Sequence, residues 1–452
     1  MSFIYTAFSG SQAAQANLTA VAMNTANTLT KGYSRQIALQ SAIGSSDNLS
    51  AGNGVRFEGF QRLSDDYLIR QEWNAISDKY YYEAKSQYLD KIEKTISNTE
   101  TSINSGFDQF YNSLSSLSVS PDSIPSRIQF INDANSLAMR FNSTNRTIEN
   151  QNTMINNQRG GVIKEINALT KGIASDNKKI EKFIYNGGNV NTLLDQRDQK
   201  IRDLSQLAEV NITKTDRGYL NVSLKDGSPL VDGMGASTLE AKMNNSRFDG
   251  LQVKYANSTF DVSSSCGSQL GGINDYQLGI LQDTQKKIND IAEQFVNEFN
   301  AKLNAGFDLN GAAGADLFIY DSLNPNGALQ ITAIVPEHLA LAGVTGALGD
   351  NTNIAELISV RSNILAGLGN NSLNDSGVQM VSNLVEASRE NKQSLVATES
   401  TLAFSILQRE SISSVEMNEE GKDLIGYQNL YQANVRVMNV GNKLFTDLLA
   451  LL

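Results

Sequence analysis

The sequence predicts a mainly α-helical protein, with terminal helices pairing as a coiled-coil domain, a bundle of long helices, and a small inserted β-rich domain. Three observations carry this. Only 5 prolines occur in 452 residues, where average usage would give roughly 20, so long helices can run uninterrupted. Apolar residues recur at helical spacing at both chain ends. Between residues 209 and 272 the pattern changes to alternation punctuated by turn signals.

The N-terminal segment from Met1 to Thr30 holds no Asp, Glu, Lys or Arg. A segment uncharged yet not apolar enough for lipid suits burial among other protein chains; the alternative is a polar, disordered tail. Its pattern favours the helix, because Ile4, Ala7, Ser11, Ala14, Leu18 and Val21 fall on one stripe at steps of three and four. Small residues let a neighbouring helix approach closely but bury little area, so this helix needs a partner.

That partner is expected at the other end. Leu424, Tyr431, Met438, Phe445 and Leu452 are spaced by seven, beside a row of Leu430, Val437, Leu444 and Leu451 and another of Tyr427, Asn434, Gly441 and Leu448. Sustained heptads mark a coiled-coil seam, and a polar Asn434 within it fixes register at a cost in stability. As a straight helix the segment extends about 43 Å. One heptad run alone could be an amphipathic helix closing the chain's own core; stripes at both ends favour pairing of the ends.

In between, Asp65 to about Leu117 and Ser126 to about Leu207 read as long helices, with no proline from Pro125 to Pro229. Val210-Asn-Ile-Thr and Leu220-Asn-Val-Ser-Leu alternate, and Lys225-Asp-Gly-Ser-Pro229 supplies a turn. Gln277 to Leu303 returns to helix, with Leu281, Ile288, Phe295 and Phe299 on one face and Gly306 placed as its C-terminal cap. Asn353 to about Met417 is again helical. The expected organisation is a terminal coiled-coil domain (1–35 with 418–452), a helical bundle (36–208 with 273–305 and 351–417), a β-rich insert (209–272), and an irregular Gly- and Asn-rich segment (306–350).

Composition excludes several functions. A net charge of -11 has the wrong sign for gripping a phosphate backbone, so no nucleic acid is expected as partner. A lone His338, Cys266 and Trp73 leave little for a transition-metal site or a Cys/His dyad, and no disulfide can close within the chain. Asp308-Leu-Asn310-Gly311 lacks the downstream Glu of a calcium loop, and Gly343, Gly346 and Gly349 lack the Lys-Ser/Thr of a phosphate loop. Asp195, Arg197 and Asp198 read as a solvated helix face opposite Leu194 and Ile201. Met1-Ser2-Phe3-Ile4 lacks a basic n-region, so no cleaved signal is expected, and no run is apolar enough to insert in a membrane. No catalytic, cofactor or metal residue is therefore assigned.

One motif identifies a family. Asn24-Thr-Ala-Asn27-Thr-Leu-Thr30-Lys-Gly32-Tyr33-Ser34-Arg35-Gln36 resembles the N-terminal motif of the bacterial flagellar axial proteins, the rod, hook and hook-associated proteins. Its local sense is that Asn and Thr satisfy freed backbone groups while Gly32 permits a turn. The stretch from Leu424-Ile-Gly-Tyr-Gln-Asn-Leu-Tyr431-Gln-Ala-Asn434 through Leu444-Phe-Thr-Asp-Leu-Leu is similar to the same family's closing helix. Gly32-Tyr-Ser-Arg-Gln36 and Leu193-Leu-Asp-Gln-Arg-Asp-Gln followed by Leu204-Ser most resemble the hook-associated members at the first hook-filament junction. Met23 departs from the pattern, which has a second Asn before Asn24. The chain is also short for the family, which implies a reduced outer domain.

The resemblance implies an extracellular, non-enzymatic junction protein of the flagellum, exported unfolded through the flagellar type III apparatus and so transiently cytoplasmic. It implies self-association in a ring between hook protein and the second hook-filament junction protein, with the paired terminal helices as the inner tube. A cytoplasmic export chaperone would hold the C-terminal helix. The assembly motif is then Asn24, Asn27, Thr30, Gly32, Tyr33, Arg35 and Gln36, and the helix seam Ile4, Leu18, Val21, Leu424, Tyr431, Asn434, Met438, Phe445 and Leu452. The alternatives are a rod or hook subunit, which would carry a more strand-rich body, or a carboxylate-based hydrolase using the 306–350 region.

Overall fold

Helix α1 (Ser2–Asn27) opens the computed structural model, which describes residues 2–44, 52–98, 100, 102–215, 218–244, 247–324 and 327–450. The mainly helical fold expected from the sequence is the one observed. The chain divides into two compact units, one of Met1–Lys79 with Ile163–Ser268 and Ala397–Leu452, the other of Tyr80–Val162 with Gln269–Val396.

In the first unit, α1 is followed by an antiparallel hairpin, β1 (Gln36–Ala42) and β2 (Val55–Arg62), running from Gln36 opposite Arg62 to Ala42 opposite Val55. The sequence reading placed this stretch in the helical bundle. The strands lack a clean apolar alternation because Ile37, Leu39 and Phe57 all stay exposed. Helices α2 (Asp66–Ser97), α4 (Ile124–Tyr185) and α9 (Leu373–Ser413) contribute segments to both units, and α3 (Ile103–Leu117) belongs to the second. The first unit also holds α5 (Asn191–Leu207) and α10 (Met417–Leu449).

The expected insert forms two small antiparallel sheets. One is β3 (Val210–Lys214), β4 (Leu220–Leu224), β5 (Pro229–Asp232) and β6 (Gly235–Ala236); the other is β7 (Thr238–Asn244), β8 (Arg247–Tyr255) and β9 (Ser258–Val262). Two asparagines of α4 seat them. Asn177 donates to Leu220 O at 2.9 Å and accepts from Leu220 N at 3.4 Å, and Asn167 makes the same pair with Leu239 at 2.9 and 2.8 Å. Elsewhere in this unit Glu72, 1% exposed, ties α2 to α5 through Arg202 at 2.6 Å and to α9 through Arg409 at 3.3 Å.

The second unit is built on aromatic packing. Besides α3 it contains α6 (Ser268–Asp275), a π-helical turn (Tyr276–Leu281), α7 (Gln282–Asn304), α8 (Thr352–Ser359) and a two-stranded sheet of β10 (Phe318–Tyr320) and β11 (Leu329–Ile331). Ser102 caps α3 by accepting from Ser105 N at 3.2 Å. The expected α7 face is buried, and Phe295 and Phe299 meet Phe110, Phe130 and Phe318 with ring centroids as close as 5.0 Å. The segment after α7, expected to be irregular, is held by Arg127, 1% exposed, which donates to Pro121 O, Pro336 O and Leu339 O at 2.6, 2.9 and 2.8 Å.

Several helix limits differ from the reading. The run to Leu117 breaks between α2 and α3, the run to Leu207 breaks at Gly187, whose φ is +69°, and the last long run breaks between α8 and α9 where Gly369 has φ +65°. In each case glycine or a polar turn ends a helix without any proline. Gly306 is not a left-handed cap. A Cβ there would lie 2.7 Å from Ala340 O and collide with the Asn353 side chain, so this glycine serves close packing.

Phe110, 0% exposed among five ring contacts, is the keystone of the second unit. Phe110→Ala should lower stability by roughly 3–5 kcal/mol, read as a shifted denaturant midpoint by circular dichroism; a loss under about 1 kcal/mol would refute that role.

Candidate assembly interface

The turn after α1 is where the sequence motifs converge. Asn24, 2% exposed, donates to Gln36 O at 3.0 Å and to both Glu420 carboxylate oxygens at 3.1 and 3.2 Å. Its Oδ1 accepts from Gln36 N and from the Tyr33 hydroxyl, each at 2.9 Å. One carboxamide therefore joins the end of α1, the start of β1 and the first turn of α10. Arg35 closes the joint from the other side, its Nε 2.7 Å from Glu420, with Glu419 at 3.0 Å and Asp423 at 3.3 Å from its terminal nitrogens. Gly32 takes φ +79°, and a Cβ there would lie 2.9 Å from Gln199 Oε1, so both conformation and space favour glycine.

The same segment binds the interior motif on α5. Asp195 accepts from Ser34 N at 3.2 Å and Ser34 Oγ at 2.8 Å, and pairs with Arg62 at 3.0 Å; Asp198 meets Arg62 at 2.6 Å. Asn191 donates to Gln36 Oε1 at 3.1 Å and Phe60 O at 2.9 Å. The expectation of a solvated face is thus overturned: Asp195 and Arg197 are 7% and 3% exposed. Burial pushes the Asp195 carboxyl up, opposed by the bonds from Ser34 and by Arg62. Tyr33 is pushed up to about 12 by burial, with the negative charges of Asp195 and Glu420 adding to the effect.

Asn27 and Thr30 do not join this cluster. Asn27 donates to Met23 O at 2.8 Å and accepts from Thr30 Oγ1 at 3.2 Å, closing the end of α1 locally. Glu420, Asn191 and Arg62 were not singled out from sequence, and Asp195 was read there only as part of a solvated helix face. A signal existed for Glu420: Glu416, Glu419, Glu420 and Asp423 crowd the start of α10, and Lys31 and Arg35 are the first cations after thirty uncharged residues.

From the joint outward, α1 and α10 run antiparallel, Asn24 beside Glu420, Gly10 beside Asn434 and Ile4 beside Gly441. A Cβ on Gly10 would lie 2.6 Å from Asn434 Oδ1, and one on Gly441 would collide with Ile4. Each helix thus offers a glycine to a side chain of the other. Ala7, Ala14 and Val21 are buried, Ile4 and Leu18 half-buried. On α10 the row facing α1 is Tyr427, Asn434, Met438 and Gly441, whereas Leu424, Tyr431 and Phe445 are exposed at 45, 39 and 49%. Leu452 lies outside the described residues. Leu430, Val437 and Leu444 also face solvent, as do Phe3, Tyr5 and Phe8 of α1. An exposed apolar surface of this kind marks an interaction site. Among the described residues no group of three or more His, Cys, Asp or Glu side chains is placed to hold a metal ion, and no helix is long and apolar enough to cross a membrane.

A family model described as the flagellar hook-associated protein FlgK helical domain matches residues 89–318. Flagellar hook-associated protein 1 of Escherichia coli (strain K12) is 25% identical over 543 residues, covering 99% of both chains. That alignment is longer than the 452 residues of this chain, so the relative carries stretches absent here. The Bacillus subtilis (strain 168) protein of the same name is 25% identical over 483 residues, covering 96% of this chain and 94% of its own. Among solved structures, the flagellar hook junction protein FlgK from Burkholderia pseudomallei shares the fold with a TM-score of 0.66 at 14% identity, over 77% of this chain and all of that one.

Two predictions test the joint. Glu420, 2% exposed at its side chain, and Glu419, 51% exposed, both contact Arg35; Glu420→Gln should cost about 3 kcal/mol and Glu419→Gln under about 1, in denaturant titrations of each variant. Tyr33→Phe should cost about 1 kcal/mol at neutral pH. Because the folded-state hydroxyl holds its proton to about 12, against about 10 unfolded, the stability it adds is complete below about pH 10 and is lost as pH rises through about 12. The gap between wild type and variant should therefore shrink over that window; a constant gap would count against the environment described for Tyr33.

Proposed function

The chain belongs to the flagellar hook-associated protein FlgK family, and we propose that its part there is carried by its two terminal helices. It is a structural protein of the hook-filament junction in the bacterial flagellum, not an enzyme. The observation supporting assembly through the ends is α10, a 33-residue helix in which only Glu420 and Gly441 are buried. Its apolar rows at Leu430, Val437 and Leu444 and at Leu424, Tyr431 and Phe445 face outward. Completing the burial of a half-exposed Leu or Phe contributes about 1 kcal/mol, and six such positions on each subunit make lateral association of the helices favourable.

In this reading copies associate in a ring, the paired helices line an inner tube, and hook protein and the second hook-filament junction protein contact the ring from opposite sides. The motif residues Asn24, Gly32, Tyr33, Arg35 and Gln36 set the direction in which the helix pair leaves the first unit. Asn27 and Thr30 finish α1. Before assembly the apolar face of α10 needs cover, which assigns a cytoplasmic export chaperone to that helix during a transient stage before secretion through the type III apparatus. The rod or hook alternative is disfavoured by the family match, which is to a helical domain.

Phe445 is 49% exposed, so Phe445→Asp should leave the helical circular dichroism unchanged while abolishing addition to hook-ended particles seen by electron microscopy. Normal capping by this variant would sink the proposal.

A further inference from the structure

A cleft of about 570 Å³ lies in the first unit, with apolar walls from Trp73, Ile180, Leu194, Ile212 and Leu220. This volume is in the range of small-molecule sites. Arg62, Arg70, Arg197 and Lys214 all line it, and they differ in how their charge is met. Lys214 lies 3.6 Å from Asp66, and Arg70 donates to Asp66 O at 3.1 Å. Arg62 pairs with Asp195 and Asp198. Arg197, 3% exposed, forms no ion pair among the described residues; its Nη1 donates to Asn177 Oδ1 at 3.0 Å and Gly218 O at 3.3 Å, and its Nε finds no acceptor. Burial pushes Arg197 below its ordinary value, Asp198 opposing and Arg62 adding to the effect. A buried cation held only by neutral oxygens is costly, and neither the joint at Asn24 nor the exposed face of α10 makes use of it.

We propose that this cleft binds a small amphipathic monocarboxylate, with its chain against the Trp73 wall and its carboxylate on the guanidinium of Arg197. The carboxylate would supply the charge-assisted acceptor that Arg197 lacks. A single negative charge fits better than a phosphate dianion, because Asp66 and Asp198 also line the cleft and would repel the second charge. This site is independent of the assembly surface, so either reading can fail without the other.

Trp73 is the sole tryptophan of the chain, which makes its emission a reporter of the cleft. Titration of the full chain with octanoate should shift that emission saturably, whereas octanol, equally apolar but uncharged, should not. Arg197→Met should weaken octanoate binding by about tenfold or more and Arg197→Lys by less, since Lys keeps the charge but loses the planar fork. The proposal is overturned by a non-saturable response, by octanol acting like octanoate, or by a folded Arg197→Met variant that binds as wild type does. Should Arg197→Met fail to fold, the octanoate and octanol titrations and Arg197→Lys still decide.

Discussion

An asparagine side chain that pairs with both backbone groups of one strand residue is the interaction on which this structure depends. It occurs between Asn24 and Gln36, Asn142 and Leu329, Asn167 and Leu239, Asn177 and Leu220, and Asn300 and Phe318. Each carboxamide presents one donor and one acceptor, the same pair that a neighbouring strand would offer. A helix cannot extend a sheet with its own backbone, whose groups are spent internally. Placing an Asn on its face lets it satisfy the edge of a short strand and fix that strand's position. The β-rich insert, the hairpin after α1 and the short sheet beside the aromatic core are all anchored to helices in this way.

At Asn24 this device is joined to charge. Glu420 takes the carboxamide's remaining donor capacity and pairs with Arg35, so that position, direction and helix pairing are settled at one buried point. A buried charge needs a partner and good geometry to be tolerated, and here both the guanidinium and the carboxamide supply them. The rest of α1 is free of charge, and close contact with α10 rests on glycine, alanine and Asn434. Specificity is concentrated at one end of the helix pair, leaving its length apolar and available.

Much of this was legible in the sequence because it follows from spacing. The α1 stripe, the Phe295 and Phe299 face of α7 and the strand-rich insert are periodic patterns, and the structure has them. What was not legible depends on contacts between residues far apart in the chain. Asp195 and Arg197 look like a solvated helix face because nothing nearby in sequence says that Ser34, Arg62 and Asn177 will cover them. Gly306 has the position of a helix cap, but its use is decided by Asn353 and Ala340 O, which come much later in the chain. The asparagine-rich text of α4 reads as ordinary helix, since only the fold shows which of its asparagines meets a strand. The hairpin after α1 was missed because its pairing rests on backbone bonds and on Asn191, with little apolar alternation to reveal it.

The glycines of the helix pair explain why its outer face remains apolar. With Gly10 under Asn434 and Gly441 under Ile4, the helices approach too closely for any side chain at those two positions. A larger side chain at either glycine would push the pair apart there; Tyr427 and Met438 are half-buried along the row, while Phe3, Phe8, Leu430, Val437, Leu444 and Phe445 lie exposed on the flanks. Two helices packed on small residues bury little area and add little stability of their own. The pair is therefore positioned by the buried joint at Asn24 and Glu420, while much of its apolar surface stays exposed. Close packing between the two helices and apolar flanks left exposed are then two results of one choice of residue size.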